Sequence, residues 1–155
     1  MSQPDDFIRL ISSVTSRIAG KPVDRQLAGE LNTAFPPGGP VFRSIAESCQ
    51  AAIKAGWMCN REAGGIRYGR VVKPGAATHG FSVDVVDMAD VAGPHHRHPK
   101  GEIDLIMPVT PDAVFDGHGA GWLVYGPDTA HSPTVAKGHA LVLYLLPDGA
   151  IEFTR

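Results

Sequence analysis

The sequence predicts a mainly β fold: a small antiparallel jelly-roll barrel that follows about three N-terminal helices, α+β overall. Glycine and proline are abundant, with 18 and 13 among 155 residues, and such a composition provides many turns between short strands. The apolar pattern also changes near residue 64, from a helical period to short apolar runs bounded by turn residues. Because no helical stretches separate those runs, they favour a barrel or two packed sheets over a parallel α/β sheet.

Residues 1–63 form the predicted helical segment. The first helix is expected between Pro4 and Gly20, and the second from Pro22 to the turn that begins at Pro36. The third is expected over about 41–55, with Gly56 ending it. The apolar stripe of the first helix has the 3.6-residue period and contains Phe7, Leu10, Ile11, Val14 and Ile18. We expect these helices to cover the barrel or a subunit interface, because such a stripe has to be buried.

Residues 64–155 form the predicted barrel. Alternation within one run is clear, since Phe81, Val83 and Val85 alternate with Ser82 and Asp84, as in a half-buried strand. The predicted strands are Ile66–Val72, Phe81–Met88, His95–His98, Glu102–Met107, Ala113–Asp116, Trp122–Tyr125, His131–Val135, His139–Leu146 and Ile151–Phe153.

Charge and composition exclude several classes of function. The net charge is −2 and no basic cluster occurs, so neither nucleic acid nor an anionic membrane surface is an expected partner. The longest apolar run, residues 140–147, is far too short to span a membrane. The N-terminal residues show no secretory signal, and the only cysteines, Cys49 and Cys59, lack a CxxC spacing. These features predict a reduced, cytoplasmic protein, and we expect a homo-oligomer.

One cluster of histidines predicts a metal site. His96 and His98 are two residues apart, so on a strand they point to the same face about 6.6 Å apart along the chain. The turn that follows them returns the chain and brings Glu102 towards the same point, and His131 is placed to add a fourth ligand from a distant strand. Imidazoles and a carboxylate suit one divalent transition metal ion, with Fe, Mn, Ni and Zn all compatible. The alternative is a polar turn that binds no metal.

Three further residues are candidates for substrate chemistry. Asp104 shares the inward face of a strand with Glu102 and is predicted to be a catalytic acid or base, or else to orient a histidine. Arg67 is the arginine we favour for binding a substrate carboxylate, and the alternative is a surface ion pair. His79 is a candidate to reach the mouth of the cavity and contact substrate, and the alternative is a structural role.

The histidine cluster resembles the first motif of the cupin superfamily, in which glycine, His-x-His and a glutamate follow one another. His96, His98 and Glu102 match that motif. The second cupin motif, Pro-x-Gly-x-x-His, is degenerate here, and only the Gly126-Pro127 pair and His131 remain. The resemblance covers about residues 65–153 and implies a small jelly-roll barrel with a metal ion inside. Cupins perform many reactions, so the superfamily alone does not define the activity.

The whole chain also resembles a bacterial family that includes 4-hydroxylaminobenzoate lyase. The stretches that carry this resemblance are residues 57–65, 77–84, 93–96 and 117–122. It implies a carbon-nitrogen lyase that acts on a small aromatic carboxylate and converts 4-hydroxylaminobenzoate to 3,4-dihydroxybenzoate with release of ammonia. The resemblance itself assigns no catalytic residue. From their positions in the sequence, Glu102 and Asp104 are the expected catalytic residues, and Arg67 and His79 the expected substrate-binding residues.

Two other functions remain open at the level of sequence. An iron-dependent dioxygenase that cleaves an aromatic ring can use the same three histidines and glutamate. A non-enzymatic cupin that binds a small aromatic acid needs the cavity but no turnover. The redox-neutral lyase reaction needs no nicotinamide or flavin, and the chain has no GxGxxG strand-turn-helix motif.

Overall fold

The computed structural model describes residues 3–154, which form three α-helices and ten β-strands. The helices are α1 (Pro4–Ile18), α2 (Arg25–Ala34) and α3 (Pro40–Ala55). The strands are β1 (Arg61–Ala63), β2 (Ile66–Val72), β3 (Phe81–Ala92), β4 (His96–His98), β5 (Glu102–Pro108), β6 (Val114–Phe115), β7 (Gly121–Tyr125), β8 (Thr129–His131), β9 (Thr134–Pro147) and β10 (Glu152–Phe153). The predicted mainly β fold with three N-terminal helices is therefore confirmed.

Local signals set the helix ends. Proline occupies the first turn of α1 and of α3, where its missing N–H costs nothing. Helix α2 begins at Arg25 rather than at Pro22, because the Asp24 side chain caps it by accepting a hydrogen bond from the Leu27 N–H. Gly56 adopts a left-handed conformation with φ +91° and ends α3 as predicted.

The strands form two antiparallel sheets. The larger has the order β1-β2-β3-β9-β5-β7, with β6 also pairing with β9, and the smaller has the order β10-β4-β8. Strands β3 and β9 are longer than predicted because they pair along most of their length, from Phe81 with Pro147 to Ala92 with Thr134. The predicted strand His131–Val135 is wrong in its bounds, since β8 ends at His131 and β9 begins three residues later.

Strand β1 extends the large sheet at the edge that β2 would otherwise form. It lies at the end of the segment expected to be helical and pairs Arg61 with Tyr68 and Ala63 with Ile66. The division of the chain into residues 1–63 and 64–155 stays a prediction, and residues 1, 2 and 155 lie outside the described part.

The large sheet has two buried faces, and alternation assigns its residues to them. Odd-numbered residues of β3, β5 and β9, such as Val85, Leu105 and Leu143, share one apolar cluster with the helices. Even-numbered residues, such as Ile106 and Tyr144, face the space between the two sheets. The helices therefore cover the outer face of the large sheet, as the apolar stripe of α1 predicted, and leave the inner face for the functional site.

The described helices contain no segment that is long and apolar enough to cross a membrane. Both cysteines are free and buried, in contact with the helix-covered core. Burial raises the pKa of the Cys59 thiol to about 12 and that of Cys49 further, so both thiols stay protonated and unreactive near neutral pH.

Candidate metal centre

Three strands bring the four predicted metal ligands together. His96 and His98 project from β4 on the same face, and His131 of β8 lies directly opposite His96 in the ladder. Glu102 begins β5 after a turn that contains Gly101, whose N–H donates to the His98 carbonyl at 3.2 Å. The four side chains therefore converge: local spacing brings His96, His98 and Glu102 together, and strand pairing adds His131.

The donor atoms of this set converge as ligands of a single ion do. The Nε2 atoms of His96 and His98 lie 3.3 and 3.2 Å from Glu102 Oε1, and His131 Nε2 lies 3.5 Å from Glu102 Oε2. All four ligand atoms lie within 4.8 Å of one another. Two atoms that each lie about 2.1 Å from one metal ion are at most about 4.2 Å apart. The distances of 3.2, 3.3 and 3.5 Å to Glu102 fall within this limit, so these side chains are placed to share one ion.

Burial supports the same conclusion. The His98 and Glu102 side chains are fully buried, and among the described residues, 3–154, His98 Nε2 and Glu102 Oε2 find no hydrogen-bond partner. A buried polar atom without a partner is costly, and a bound cation would satisfy both atoms. The residues present therefore fit a divalent metal ion.

The second nitrogen of each histidine is held by an acceptor. His96 Nδ1–H donates to the Pro94 carbonyl at 3.3 Å, and His131 Nδ1–H donates to Asp116 Oδ2 at 2.6 Å. His98 Nδ1–H donates at 3.0 Å to Thr129 Oγ1, whose own proton goes to the Gly126 carbonyl. All three rings thus carry their proton on Nδ1 and present the Nε2 lone pair to the centre, as ligating histidines do.

Asp116 is a supporting residue that the sequence reasoning missed. Besides His131, it accepts hydrogen bonds from the Tyr125 hydroxyl at 2.6 Å and the Thr134 N–H at 2.9 Å. Partial burial raises its pKa, but these hydrogen bonds outweigh that effect and lower the pKa below the usual value. Its φ of +50°, which Asp tolerates better than most residues, and the following Gly117 mark it as a turn residue in the sequence.

Asp104 lies two residues after Glu102 on the same face of β5, but the two carboxyl groups have different environments. Burial alone would raise the pKa of Glu102, but the surrounding imidazoles of His131, His96 and His98 outweigh it and hold the pKa well below its usual value. Burial and the neighbouring Glu102 charge raise the pKa of Asp104 well above its usual value. Neither Asp104 oxygen accepts a hydrogen bond within residues 3–154, so the alternative role of orienting a histidine is not observed.

A cavity of about 820 Å³ opens beside the centre, between the sheets. His96 and Tyr144 line its inner part, together with apolar residues that include Met88 and Ile66. Burial raises the pKa of Tyr144, so its phenol is protonated. At the other end the lining includes three cationic residues and one acidic residue: Arg61, Arg70, Lys73 and Asp84.

Two predicted substrate-binding residues lie elsewhere. Arg67 projects from the opposite face of β2 to Tyr68 and Arg70, does not line the cavity, and forms an ion pair with Asp87 at 3.2 Å. This is the alternative arrangement considered for it, a surface ion pair. His79 is exposed, and its Nδ1 hydrogen-bonds the Thr15 hydroxyl of α1 at 2.9 Å instead of lining the cavity.

Comparison with known proteins identifies relatives along the whole chain. The model of the 4-hydroxylaminobenzoate lyase family matches residues 9–153. A 4-hydroxylaminobenzoate lyase of a Nocardioides species, strain LMS-CY, is 30% identical over 99% of this chain and 96% of its own length. The enzyme of the same name from Pseudomonas putida is 27% identical over 99% of this chain and 97% of its own.

A structural comparison finds cupin proteins. An RmlC-like cupin from Ralstonia eutropha superimposes with a TM-score of 0.40 and 14% identity, over 55% of this chain and 58% of that one. The match of the family model to nearly the whole sequence and the two full-length relatives agree on an enzyme of the lyase class. The chain belongs to the 4-hydroxylaminobenzoate lyase family.

Proposed function

We propose that this protein is a metal-dependent lyase that converts 4-hydroxylaminobenzoate and water to 3,4-dihydroxybenzoate and ammonia. The observation that carries the proposal is that His96, one member of the three-histidine, one-glutamate centre, lines a cavity that Arg61, Arg70 and Lys73 also line. A cavity of this size suits one aromatic ring, and its two ends suit an anionic group and a reacting group.

The reaction balances without an external oxidant. The N–O and C–N bonds of the substrate break, and the product has C–O bonds at two adjacent ring carbons. The nitrogen gains the two electrons that the ring loses, and a net uptake of one water molecule supplies the remaining oxygen and hydrogens. The chemistry therefore needs neither dioxygen nor a nicotinamide or flavin.

His96, His98, Glu102 and His131 would hold one divalent transition metal ion, Fe, Mn, Ni or Zn. Such an ion supplies Lewis acidity towards the hydroxylamino group or water. Asp104 is the residue we assign to proton transfer, because its carboxyl is buried beside Glu102 and favours the protonated form. We assign Glu102 as a metal ligand, so it would contribute to catalysis by holding the ion.

We assign the substrate carboxylate to Arg70 instead of Arg67. Arg70 lines the cavity, and it is held in place by Asp84 at 2.9 Å and by the Gly149 carbonyl at 3.2 Å. Arg61 and Lys73 add two positive charges to the same part of the lining. The Nε and Nη2 groups of Arg70 donate to Asp84 and Gly149, and within residues 3–154 Nη1 remains free to donate to a substrate carboxylate.

Turnover under strict anaerobiosis tests the proposal. Untagged protein with its metal content measured should form 3,4-dihydroxybenzoate and ammonia from 4-hydroxylaminobenzoate at the same rate with and without air. A requirement for oxygen with a ring-opened product contradicts the lyase and supports a dioxygenase. Tight binding of the substrate without turnover, with the metal present, supports a binding protein instead.

Removal of one ligand tests the metal requirement. His96→Ala should lose both the metal ion and the activity, because a buried ligand is deleted. His118→Ala is the matched control, since His118 is exposed and is not part of the centre. Equal metal content in wild-type protein and His96→Ala, measured by elemental analysis, would remove the assignment of His96.

A further inference from the structure

Tyr144 lines the cavity but has no role so far as a metal ligand, in proton transfer or in binding the substrate carboxylate. It lies three residues before the end of β9 and is 5% exposed. Its ring centroid lies 6.5 Å from that of His96. Within residues 3–154 its hydroxyl makes no hydrogen bond, although a buried tyrosine hydroxyl ordinarily has a partner.

The strand register places Tyr144 between the two ends of the proposed site. Four neighbouring strands contribute one row of ladder partners: Arg70 pairs with Asp84, Asp84 with Tyr144, and Tyr144 with Asp104. Partners in a ladder project to the same face, and adjacent strands are about 4.8 Å apart. The row therefore runs from the cationic part of the cavity to the buried carboxyl beside Glu102.

This row of side chains determines which residues contact each end of an aromatic carboxylate bound in the cavity. The carboxylate group belongs at Arg70, because Arg70, Arg61 and Lys73 are the cationic side chains that line the cavity. The ring then extends between the apolar side chains that line the cavity, and the group opposite the carboxylate comes to the part lined by Tyr144 and His96. The unpaired phenol is the donor that faces this group.

We propose that the Tyr144 hydroxyl donates a hydrogen bond to the substituent opposite the substrate's carboxylate, and so selects para-substituted rings that carry an acceptor there. The inference rests on the proposed function for the identity of that substituent, the oxygen of the hydroxylamino group. That oxygen takes the electron pair of the N–O bond as the bond breaks, and it leaves as hydroxide, which gains a proton to become water. Two water oxygens add to the ring, so the net uptake is one water molecule. The hydrogen bond from Tyr144 strengthens as negative charge develops on the departing oxygen. Tyr144 thereby contributes more to the transition state than to ground-state binding.

Tyr144→Phe tests this with the fold preserved, because the substitution removes one hydroxyl that has no protein partner. The variant should keep the wild-type metal content and melting temperature. Its kcat for 4-hydroxylaminobenzoate should fall by roughly 10²-fold, the usual loss for one donor to a developing oxyanion, while KM changes much less. An unchanged kcat overturns the proposal while leaving the lyase assignment standing.

Binding measurements judge Tyr144 independently of turnover. Calorimetry with 4-hydroxybenzoate and with benzoate compares two rings that differ only by the para acceptor. Wild-type protein should prefer 4-hydroxybenzoate by about three- to tenfold, the worth of one hydrogen bond, and Tyr144→Phe should lose that preference. This result supports the proposal even if wild-type protein turns over no hydroxylamine, the outcome that defeats the lyase assignment alone. Equal affinity of wild-type protein for the two acids overturns the proposal without any variant.

Discussion

Each histidine of the centre uses one ring nitrogen for support and leaves the other for the ion. The supports differ: His96 and His98 donate to neutral oxygens, whereas His131 donates to the Asp116 carboxylate. A carboxylate acceptor increases the basicity of the ligating nitrogen and fixes the orientation of the ring. His131 is also the most exposed of the three rings, at 12% of its side chain, so it gains most from a strong acceptor.

Asp116→Asn should weaken metal binding without removing a ligand. The amide can still accept the Nδ1 proton of His131, but the negative charge is lost, so we expect a 10- to 100-fold rise in the metal dissociation constant, the range of about one to two decades typical of such supports. Competition with a chelator measures this. Asp112→Asn is the control, since Asp112 is exposed and distant in sequence from the ligands. Equal dissociation constants for the two variants would exclude a supporting role for Asp116.

A matched pair of arginine substitutions decides which arginine binds substrate. Both side chains form ion pairs with β3 carboxylates, but only Arg70 lines the cavity. Arg70→Lys keeps the charge and removes the planar fork, so kcat/KM for a carboxylated substrate should fall by about tenfold or more, as for the loss of a hydrogen bond to a charged group. Arg67→Lys should leave kcat/KM unchanged. The opposite result in steady-state kinetics would restore the original assignment to Arg67.

Sequence reasoning found the ligands because their signal is local. His96 and His98 share one face of a strand, and a short turn leads directly to Glu102. The predicted return of the chain beside the first strand is wrong, because β4 and β5 belong to different sheets and the turn crosses from one sheet to the other. Arg67 could not be distinguished from Arg70 in this way, because the choice depends on which face of β2 the cavity lies against. Asp116 and Tyr144 reach the site through pairing of distant strands, for which one sequence carries no direct signal.

At the scale of elements, the turn between β4 and β5 determines the geometry of the centre. Gly101 has a φ of +91°, and a Cβ atom there would lie 2.8 Å from the Tyr125 carbonyl oxygen and 2.6 Å from Val23 Cγ1. Only glycine satisfies both constraints, because the backbone conformation and the close approach each disfavour a side chain. The turn is therefore fixed by β7 on one side and by the segment before α2 on the other.

Gly101→Ala should displace Glu102 and lower stability together. We expect a loss of about 2 kcal/mol or more in the free energy of unfolding, from backbone strain and from the contact with a carbonyl that cannot move freely. Urea unfolding measures the loss, and metal retention should fall as well. Gly119→Ala is the matched control: φ is not positive there and no atom lies within 4 Å of the added Cβ. A Gly101→Ala variant as stable as Gly119→Ala would show that the turn tolerates a side chain.

The helix and strand types were predictable, whereas several strand bounds were not. The 3.6-residue apolar period and the residues at the helix ends predicted the three helices, and Gly56 ends α3 as expected. The sequence pattern did not predict the full length of the pairing between β3 and β9. Asp90, at a bulge, and the turn residues Lys137 and Gly138 have the sequence features of strand ends, although the pairing continues past them. Tertiary pairing overrode these local breaks.

At the scale of the whole molecule, the helices and the large sheet share one buried core. The cluster that contains α1, α2 and α3 residues also contains the outward residues of β3, β5 and β9. Because the same strands hold Glu102, Asp104 and Tyr144 on their inner face, the helices support the site from behind. The expected homo-oligomer stays a prediction.

Ile45→Ala in α3 should show this coupling. Ile45 is fully buried in the shared cluster, so its truncation should cost about 2–5 kcal/mol of stability. Helical circular dichroism and the fluorescence of Trp122 should report one common transition, because helices and sheet unfold together. Val109→Ala, at a site 41% exposed, should change stability by less than about 0.5 kcal/mol. Two separate transitions would mean that the helices form an independent unit.

The alternation along β5 has a consequence for how this sequence can vary. Glu102 and Asp104 lie buried on the inner face of β5, while Ile103, Leu105 and Met107 pack in the cluster that contains the helices. Both surfaces therefore depend on one phase of a two-residue repeat. A single-residue insertion or deletion within the strand shifts that phase, turns carboxylates under the helices and fills the cavity with aliphatic side chains. Such insertions and deletions within β5 should therefore prevent folding. In the exposed loop of residues 117–120 they should leave the fold intact, because its residues lie outside the strands.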